Sequence, residues 1–323
     1  MAQHWRIVLS MACLVPALSF GAHKGHQLSA DEERFAMMME KKHHLPAAEV
    51  RIWMSGANIK TRVIKTIKHP AEKKSWAFYK KLFISKRRIH DGANYWRTHQ
   101  PMLEKAKATF GVPPALVVAI IGIESDYGRR VPPHRAIDTL TTLAFYGEPR
   151  RRHFFQQELA HFFMLCKDMA TPPNTVASSY AGAIGFPQFM PSSYRHYAYS
   201  ANPLKAPDLV HNHDDAIMSV ANYFKQAHWQ KDQPIAKYAG DFHSTLSPSQ
   251  HLVVFDAKTH PIQWLVYPNF YAIMAYNHST HYAMAVTLLA EEIKRTYDQN
   301  NRSAGKHQRT AQKRAHPRGQ IRL

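Results

Sequence analysis

The chain has 323 residues, of which 45% are hydrophobic and 20% charged, an ordinary globular balance with length enough to bury a large core. Its 42 Lys and Arg against 23 Asp and Glu give a formal net charge of +19, which favours polyanionic partners: nucleic acid, anionic lipid or an acidic cell-wall polymer. Two cysteines, Cys13 and Cys166, are too few for a disulfide framework.

In chain order, Arg6 followed by the apolar run at 7–20 predicts an export signal. Small residues at Ala17/Ser19 or Ser19/Gly21 suit a signal peptidase, which gives a signal peptide over 1–21 and a periplasmic product. Pro16 breaks the run, which is short for a membrane span; a buried N-terminal helix is the alternative. Lipid attachment at Cys13 is disfavoured, because Ser10 and not Leu lies three residues before it. Without the leader only Cys166 remains, and its apolar neighbours predict a packed side chain.

Residues 22–30 read as a linker. Apolar spacing then predicts helices around 35–39, 76–84 and 156–169, with two more over 214–229 and 279–297. Asp214 and Asp215 fall in a first turn, and Ser279 or Thr280 can cap the other helix. Between these two, residues 235–267 carry short runs broken by Gly, Pro and Ser, which predicts loops and brief strands. The fold class is therefore mainly α, with a minor β component. From 299 to 323 the chain is basic and poor in apolar residues, which predicts a disordered tail. No aromatics interleave this tail, so weak attraction to anionic envelope polymers fits it better than nucleic-acid binding.

Three segments carry chemistry. In GVPPALVVAIIGIESDYGR, Pro113 and Pro114 suit a helix start, nine apolar residues at 115–123 predict a buried helix, and Gly128 can stop it. Glu124 then falls in line with Val117, Ile120 and Ile121. A carboxyl on an apolar stripe is raised in pKa, as a general acid requires; an exposed helix-end glutamate is the bland alternative. In SYAGAIGFPQFMPSS, Gly182 and Gly185 permit close backbone approach, and the Gln188 amide can both donate to and accept from sugar groups. A tight packed turn explains the same glycines. In NFYAIMAYNHSTHY the Tyr and Asn residues suit a carbohydrate surface or, equally, a core stripe.

Taken in order, GVP…IIGIES.YGR, YAGAIGFPQFMPSSY and NFYAIMAYNHSTHYAMAV resemble the lytic murein transglycosylase B family, over roughly residues 31 to 295. The motifs WAFYKKLF, RIHDGANYW, AIDTLTTL and AIMSVANYF extend the likeness. The resemblance implies a lysozyme-like catalytic domain over 31–298, with a smaller lobe at about 125–205 and a substrate cleft. It implies that Glu124 is the catalytic acid and then base, with Ser179 orienting its carboxyl. It places Gln188 and Asn277 on sugar, Arg150 and Arg151 on carboxylates of the stem peptide, and Tyr79, Tyr276 and Tyr282 as sugar platforms.

Asp126, two positions from Glu124, cannot face it across a cleft, so the usual pair of glycosidase carboxylates is missing. The family's single-acid route cleaves between N-acetylmuramic acid and N-acetylglucosamine and leaves a 1,6-anhydro end. An ordinary muramidase and a non-catalytic peptidoglycan-binding scaffold are the competing expectations. The expected partners are peptidoglycan strands, with other cell-wall enzymes admitted and nucleic acid not. No cofactor is expected. The acidic calcium loop found in many family members is replaced at 200–210 by SANPLKAPDLV, with one carboxylate and Lys205, so no metal is expected there. His278/His281 and His211/His213 lack a zinc signature.

Overall fold

A computed structural model describes residues 26–67, 75–240, 246–256 and 261–315, with side chains as far as 303. The expected signal peptide and Cys13 lie outside these residues. The first helix, α1 (Ala30–His43), opens on a capping box in which Ser29 Oγ accepts from the Glu32 amide and the Glu32 carboxylate accepts from the Ser29 amide. It is followed by α2 (Ala47–Ser55), α3 (Thr61–Ile67), α4 (Trp76–Phe83), α5 (Lys86–Thr98) and α6 (Gln100–Phe110). The expected linker is tied down from His26, whose amide donates to the Ser55 carbonyl while its ring meets Ala57 O and the buried Glu32 carboxylate.

Helix α7 (Pro114–Ser125) starts on two prolines and is buried from Pro114 through Ile123. It stops earlier than the sequence predicts: the cap is Asp126 in left-handed conformation, φ 53°, and Gly128 lies beyond the end. Next, β1 (His134–Arg135) pairs antiparallel with β2 (Ala177–Ser178). Between them run α8 (Ala136–Thr141), a π-helical turn at Thr142–Tyr146, and α9 (Pro149–Asp168). Beyond α10 (Pro191–Tyr197) comes α11 (His213–Gln226), capped by the Asn212 side chain, with Asp214 and Asp215 in its first turn as predicted. A small antiparallel sheet of β3 (Ala236–Tyr238), β4 (His251–Phe255) and β5 (Ile262–Val266), in the order β3-β5-β4, fills the region expected to hold brief strands. Two helices close the chain, α12 (Pro268–Tyr276) and α13 (Thr280–Ala315).

The backbone of α13 runs on as helix to Ala315, into the stretch whose composition predicts disorder from 299. Residues 302–315 are rich in Arg, Lys, Gln and Ala, which favour helix, and they extend turns already nucleated by packing.

Two hydrophobic cores organise the molecule. The first surrounds α7, with Leu116, Ile120, Phe224, Phe270, Leu289 and Ile293 fully buried. The second joins Phe162, Phe163, Ile184 and Tyr194 to Phe35, Met39 and Met54. The second core thus draws on α1–α3 as well as on residues from 136 to 209, because helical periodicity shows which face is apolar but not which core it meets. Tyr276 packs against both cores. Among the described residues no single helix is long and apolar enough to cross a membrane.

Candidate active site

Glu124 ends the apolar α7 and is half-buried, the only acidic residue in that helix. Its Oε1 accepts a hydrogen bond from the Tyr282 hydroxyl at 2.6 Å. Burial pushes the carboxyl up to about 7, although the Tyr282 hydroxyl and the Arg130 charge pull the other way. Tyr282 is 4% exposed on the first turn of α13, and Tyr276, at the end of α12, lies parallel to it with ring centroids 6.5 Å apart. Both phenols are held well above their ordinary pKa by burial and then by the neighbouring Glu124 charge, so Tyr282 stays a hydrogen-bond donor.

Tyr276 donates in turn to the Pro187 carbonyl, tying the tyrosine pair to the turn that carries Gln188. That turn is closed by reciprocal backbone bonds between Ile184 and Phe189 at 2.8 and 3.1 Å. Gly185, at φ 76°, has no room for a side chain, since a Cβ would meet the Leu209 carbonyl at 2.4 Å. Gln188 is itself left-handed, φ 50°, and its Nε2 donates to Gly185 O at 2.8 Å. One amide proton of Gln188 is therefore committed to the turn.

Ser179 departs from its expected role. Its Oγ accepts from the Ala181 and Ala183 amides at 3.2 and 3.1 Å, holding the glycine-rich loop, and the bond to Glu124 comes from Tyr282 instead. Asn277 sits half-buried in the link between α12 and α13, where its backbone carbonyl accepts from the Ser279 amide at 2.7 Å. Tyr79 is 5% exposed and packs on His281, with centroids 5.3 Å apart. Tyr79 and Tyr282 are thus largely covered, and of the three tyrosines only Tyr276 keeps partial exposure. Arg150 and Arg151 are exposed in the first turn of α9; the Arg151 guanidinium lies 5.0 Å over the Phe155 ring, and neither makes a hydrogen bond or ion pair to a residue around Glu124.

The surroundings of the acid are not legible in the sequence. Arg130 contributes charge from the loop after α7. Asp126 is turned away from Glu124 and receives two hydrogen bonds from Arg87, both at 3.1 Å. Burial pushes the Asp126 carboxyl up, but hydrogen bonds from Arg87 and Arg129 outweigh it and hold it below the usual carboxylate range. Asp126 and Arg129 stand in ESDYGR, Arg130 directly follows it and Arg87 directly precedes RIHDGANYW, but spacing alone does not reveal that they meet. A cavity of about 730 Å³ lies in the second core between Phe162, Cys166, Ile184 and Val210. Glu124 does not line it, and burial raises the thiol of Cys166, which does, to about 12.

The residues at 200–215 do not fit calcium. Asp215 spends its oxygens on the Ala201 and Asp208 amides at 2.7 and 2.8 Å, and Asp208 accepts from the Val210 and His211 amides. The Asn202 side chain is likewise turned inward, its Oδ1 accepting from the Leu204 amide. Among the described residues no group of three or more His, Cys, Asp or Glu is placed to hold a metal. His281 packs against Trp76, Tyr79 and Phe255, and His213 lies flat on Phe186 at 4.1 Å while bonding the Tyr95 hydroxyl.

The site of this helical domain is thus one carboxyl on a buried helix, hydrogen-bonded to one of a pair of tyrosines whose other member is tied to a glycine-rich turn. The family model for the transglycosylase SLT domain matches residues 28–291, and the chain belongs to that family. Membrane-bound lytic murein transglycosylase B of Escherichia coli (strain K12) is 36% identical over 248 residues, covering 68% of this chain and 67% of that protein. Soluble lytic transglycosylase SltB1 of Pseudomonas aeruginosa superposes with a TM-score of 0.75 at 33% identity, over 82% of this chain and 99% of that one. SltB3 of the same organism, in complex with NAG-NAM-pentapeptide, gives a TM-score of 0.69 at 25% identity, over 81% and 78%. The fold is thus lysozyme-like, and the protein is a lytic transglycosylase, an enzyme of the class that cleaves peptidoglycan.

Proposed function

We propose that Glu124 alone carries the proton transfers in cleavage of the β1,4 bond between N-acetylmuramic acid and N-acetylglucosamine. The observation that carries this reading is the carboxyl itself: half-buried, raised to about 7, and hydrogen-bonded to a tyrosine and to no second acid. A carboxyl with that pKa holds its proton near neutrality and is a competent acid there. Peptidoglycan as substrate is supported by the family and by the glycan-peptide bound to SltB3.

In the first step Glu124 gives its proton to the bridging oxygen, the glycosidic bond breaks, and N-acetylglucosamine leaves as an alcohol. Positive charge develops at C1 of the muramoyl residue, where the substrate's own N-acetyl oxygen can stabilise it. In the second step the Glu124 carboxylate takes the proton of the muramoyl 6-hydroxyl as that oxygen bonds C1. The ring closes to a 1,6-anhydro end, Glu124 is protonated again, and no water enters. Tyr282 stabilises the carboxylate between the steps. Gln188, Asn277 and Tyr276 are assigned to holding sugar, and Arg150 and Arg151 to the stem peptide.

An oriented intramolecular hydroxyl has an effective concentration of about 10⁵ M or more, far above that of water. Muropeptides released from sacculi should therefore end in anhydromuramic acid, be lighter than hydrolysis products by one water, resist borohydride, and stay unlabelled in ¹⁸O-water. Reducible, labelled ends as the main product would make the enzyme a muramidase with the same acid. The basic balance and the apolar leader of the sequence support a periplasmic location and a secondary attraction to anionic envelope polymers.

A further inference from the structure

The residues that follow Glu124 take a conformation the chain resists. Asp126, Tyr127 and Gly128 have φ values of 53°, 61° and 85° in succession, and two of the three carry a side chain. Left-handed backbone crowds Cβ against a carbonyl oxygen; aspartate tolerates it, but a bulky aromatic such as Tyr127 adopts it only when neighbours enforce it.

Those neighbours come mainly from α5. Arg87 donates twice to the Asp126 carboxylate at 3.1 Å, and Arg129 adds a third hydrogen bond at 3.3 Å before reaching Asp91 at 2.6 Å. Arg87 and Asp91 are one turn apart on α5 and also pair with each other at 3.2 Å. The Tyr127 hydroxyl donates to the Arg88 carbonyl at 2.7 Å. Its side chain also covers Gly122 of α7 and Gly92 of α5, where an added Cβ would lie 2.6 Å from it. On the α7 side, Ser125 Oγ donates to Ile121 O and accepts from the Gly128 amide, both at 3.1 Å.

Solvent-facing ion pairs of the kind that Arg87 and Arg129 form add little to global stability. Their convergence on one strained turn, next to the catalytic carboxyl, serves geometry instead. We propose that α5 is the positioning element of Glu124: by holding the left-handed turn at 126–128, Arg87, Asp91 and the Arg88 carbonyl fix how the last turn of α7 presents Glu124 to Tyr282. Asp126 and Tyr127 are the positioning residues through which α5 acts. The proposal rests on Glu124 being the acid. It requires that a relaxed turn admit water to the carboxyl, which then regains ordinary acidity and is deprotonated too early.

The test uses the full chain and compares sacculus digestion from acid to alkaline pH, with each variant's melting temperature as a check on folding. Asp126→Ala should lower kcat about tenfold, leave KM within about twofold, and move the alkaline limb of the rate profile to lower pH. Asp126→Gly loses the same carboxylate but accepts left-handed backbone, so it should recover most of that rate. Arg87→Ala removes an exposed side chain, and should shift the limb in the same direction. The proposal is overturned if Glu124→Gln is inactive while Asp126→Ala and Arg87→Ala keep the wild-type limb. It is equally overturned if the Asp126→Gly enzyme is no faster than the Asp126→Ala enzyme. A Glu124→Gln enzyme that keeps its rate overturns both this proposal and the acid assignment beneath it.

Discussion

Glu124 is kept half out of water at a cost to the fold, and that cost can be measured. Its folded pKa lies near 7 against an ordinary value of 4.5, so between these the native state binds more protons than the unfolded chain. Stability from this group is therefore complete below about 4.5, falls as pH rises toward 7, and stays reduced above it. Glu124→Gln should remove the penalty, raising the melting temperature at alkaline pH by the equivalent of about 2 kcal/mol while leaving it nearly unchanged in acid. The same variant should lose strand cleavage by at least about a hundredfold, because the amide keeps the shape but has no proton to give. A loss of stability at alkaline pH would mean that the carboxylate is structural. Tyr282→Phe has a separate signature. The tyrosine's hydrogen bond lowers the Glu124 pKa, so its removal should move the alkaline limb of the rate profile upward, opposite to the shift expected on loosening the 126–128 turn.

At the scale of elements, the glycine-rich turn between β2 and α10 admits little change. Gly185→Ala places a methyl against the Leu209 carbonyl at 2.4 Å, and both that residue and Gly182 are left-handed. It should cost about 2–4 kcal/mol in a chemical denaturation experiment and displace Gln188 with it. An unchanged midpoint would show that this turn is slack. Such contacts mark the limit of what the chain's pattern conveys. The helix ending in Glu124 is legible because nine apolar residues follow two prolines, and the acid falls on their stripe. The helices around 76–84 and 214–229 are legible for the same periodic reason. The partner of Glu124 is not, since Tyr282 lies 158 positions away and reaches the acid only when α13 packs beside α7. Ser179 shows the converse: a hydroxyl next to a glycine-rich loop can serve the loop's own amides, and spacing does not distinguish that use from contact with the acid.

For the whole molecule, the loop at 200–211 is held by Asp215 and Asp208 through backbone amides, so chelation should do nothing. EDTA and excess calcium should leave the melting temperature and the digestion rate unchanged, whereas Asp215→Asn should lower the melting temperature by several degrees, the effect of about 1–3 kcal/mol from weakened buried bonds. A drop with EDTA that calcium reverses would show that this loop binds metal. The two cores carry a consequence for how the chain acquires its structure. Residues 35–63 belong to the second core, 76–127 to the first, 136–209 to the second again, and 217–293 to the first. The backbone therefore passes between the cores three times, and the first is not complete until α13 has been made. A truncated nascent chain has no autonomous half to fold, and sequence-distant pairings such as α7 with α13 slow the search. The two lobes should accordingly melt as one cooperative unit, in a single calorimetric endotherm, and cutting the chain at a crossing should release two unfolded pieces.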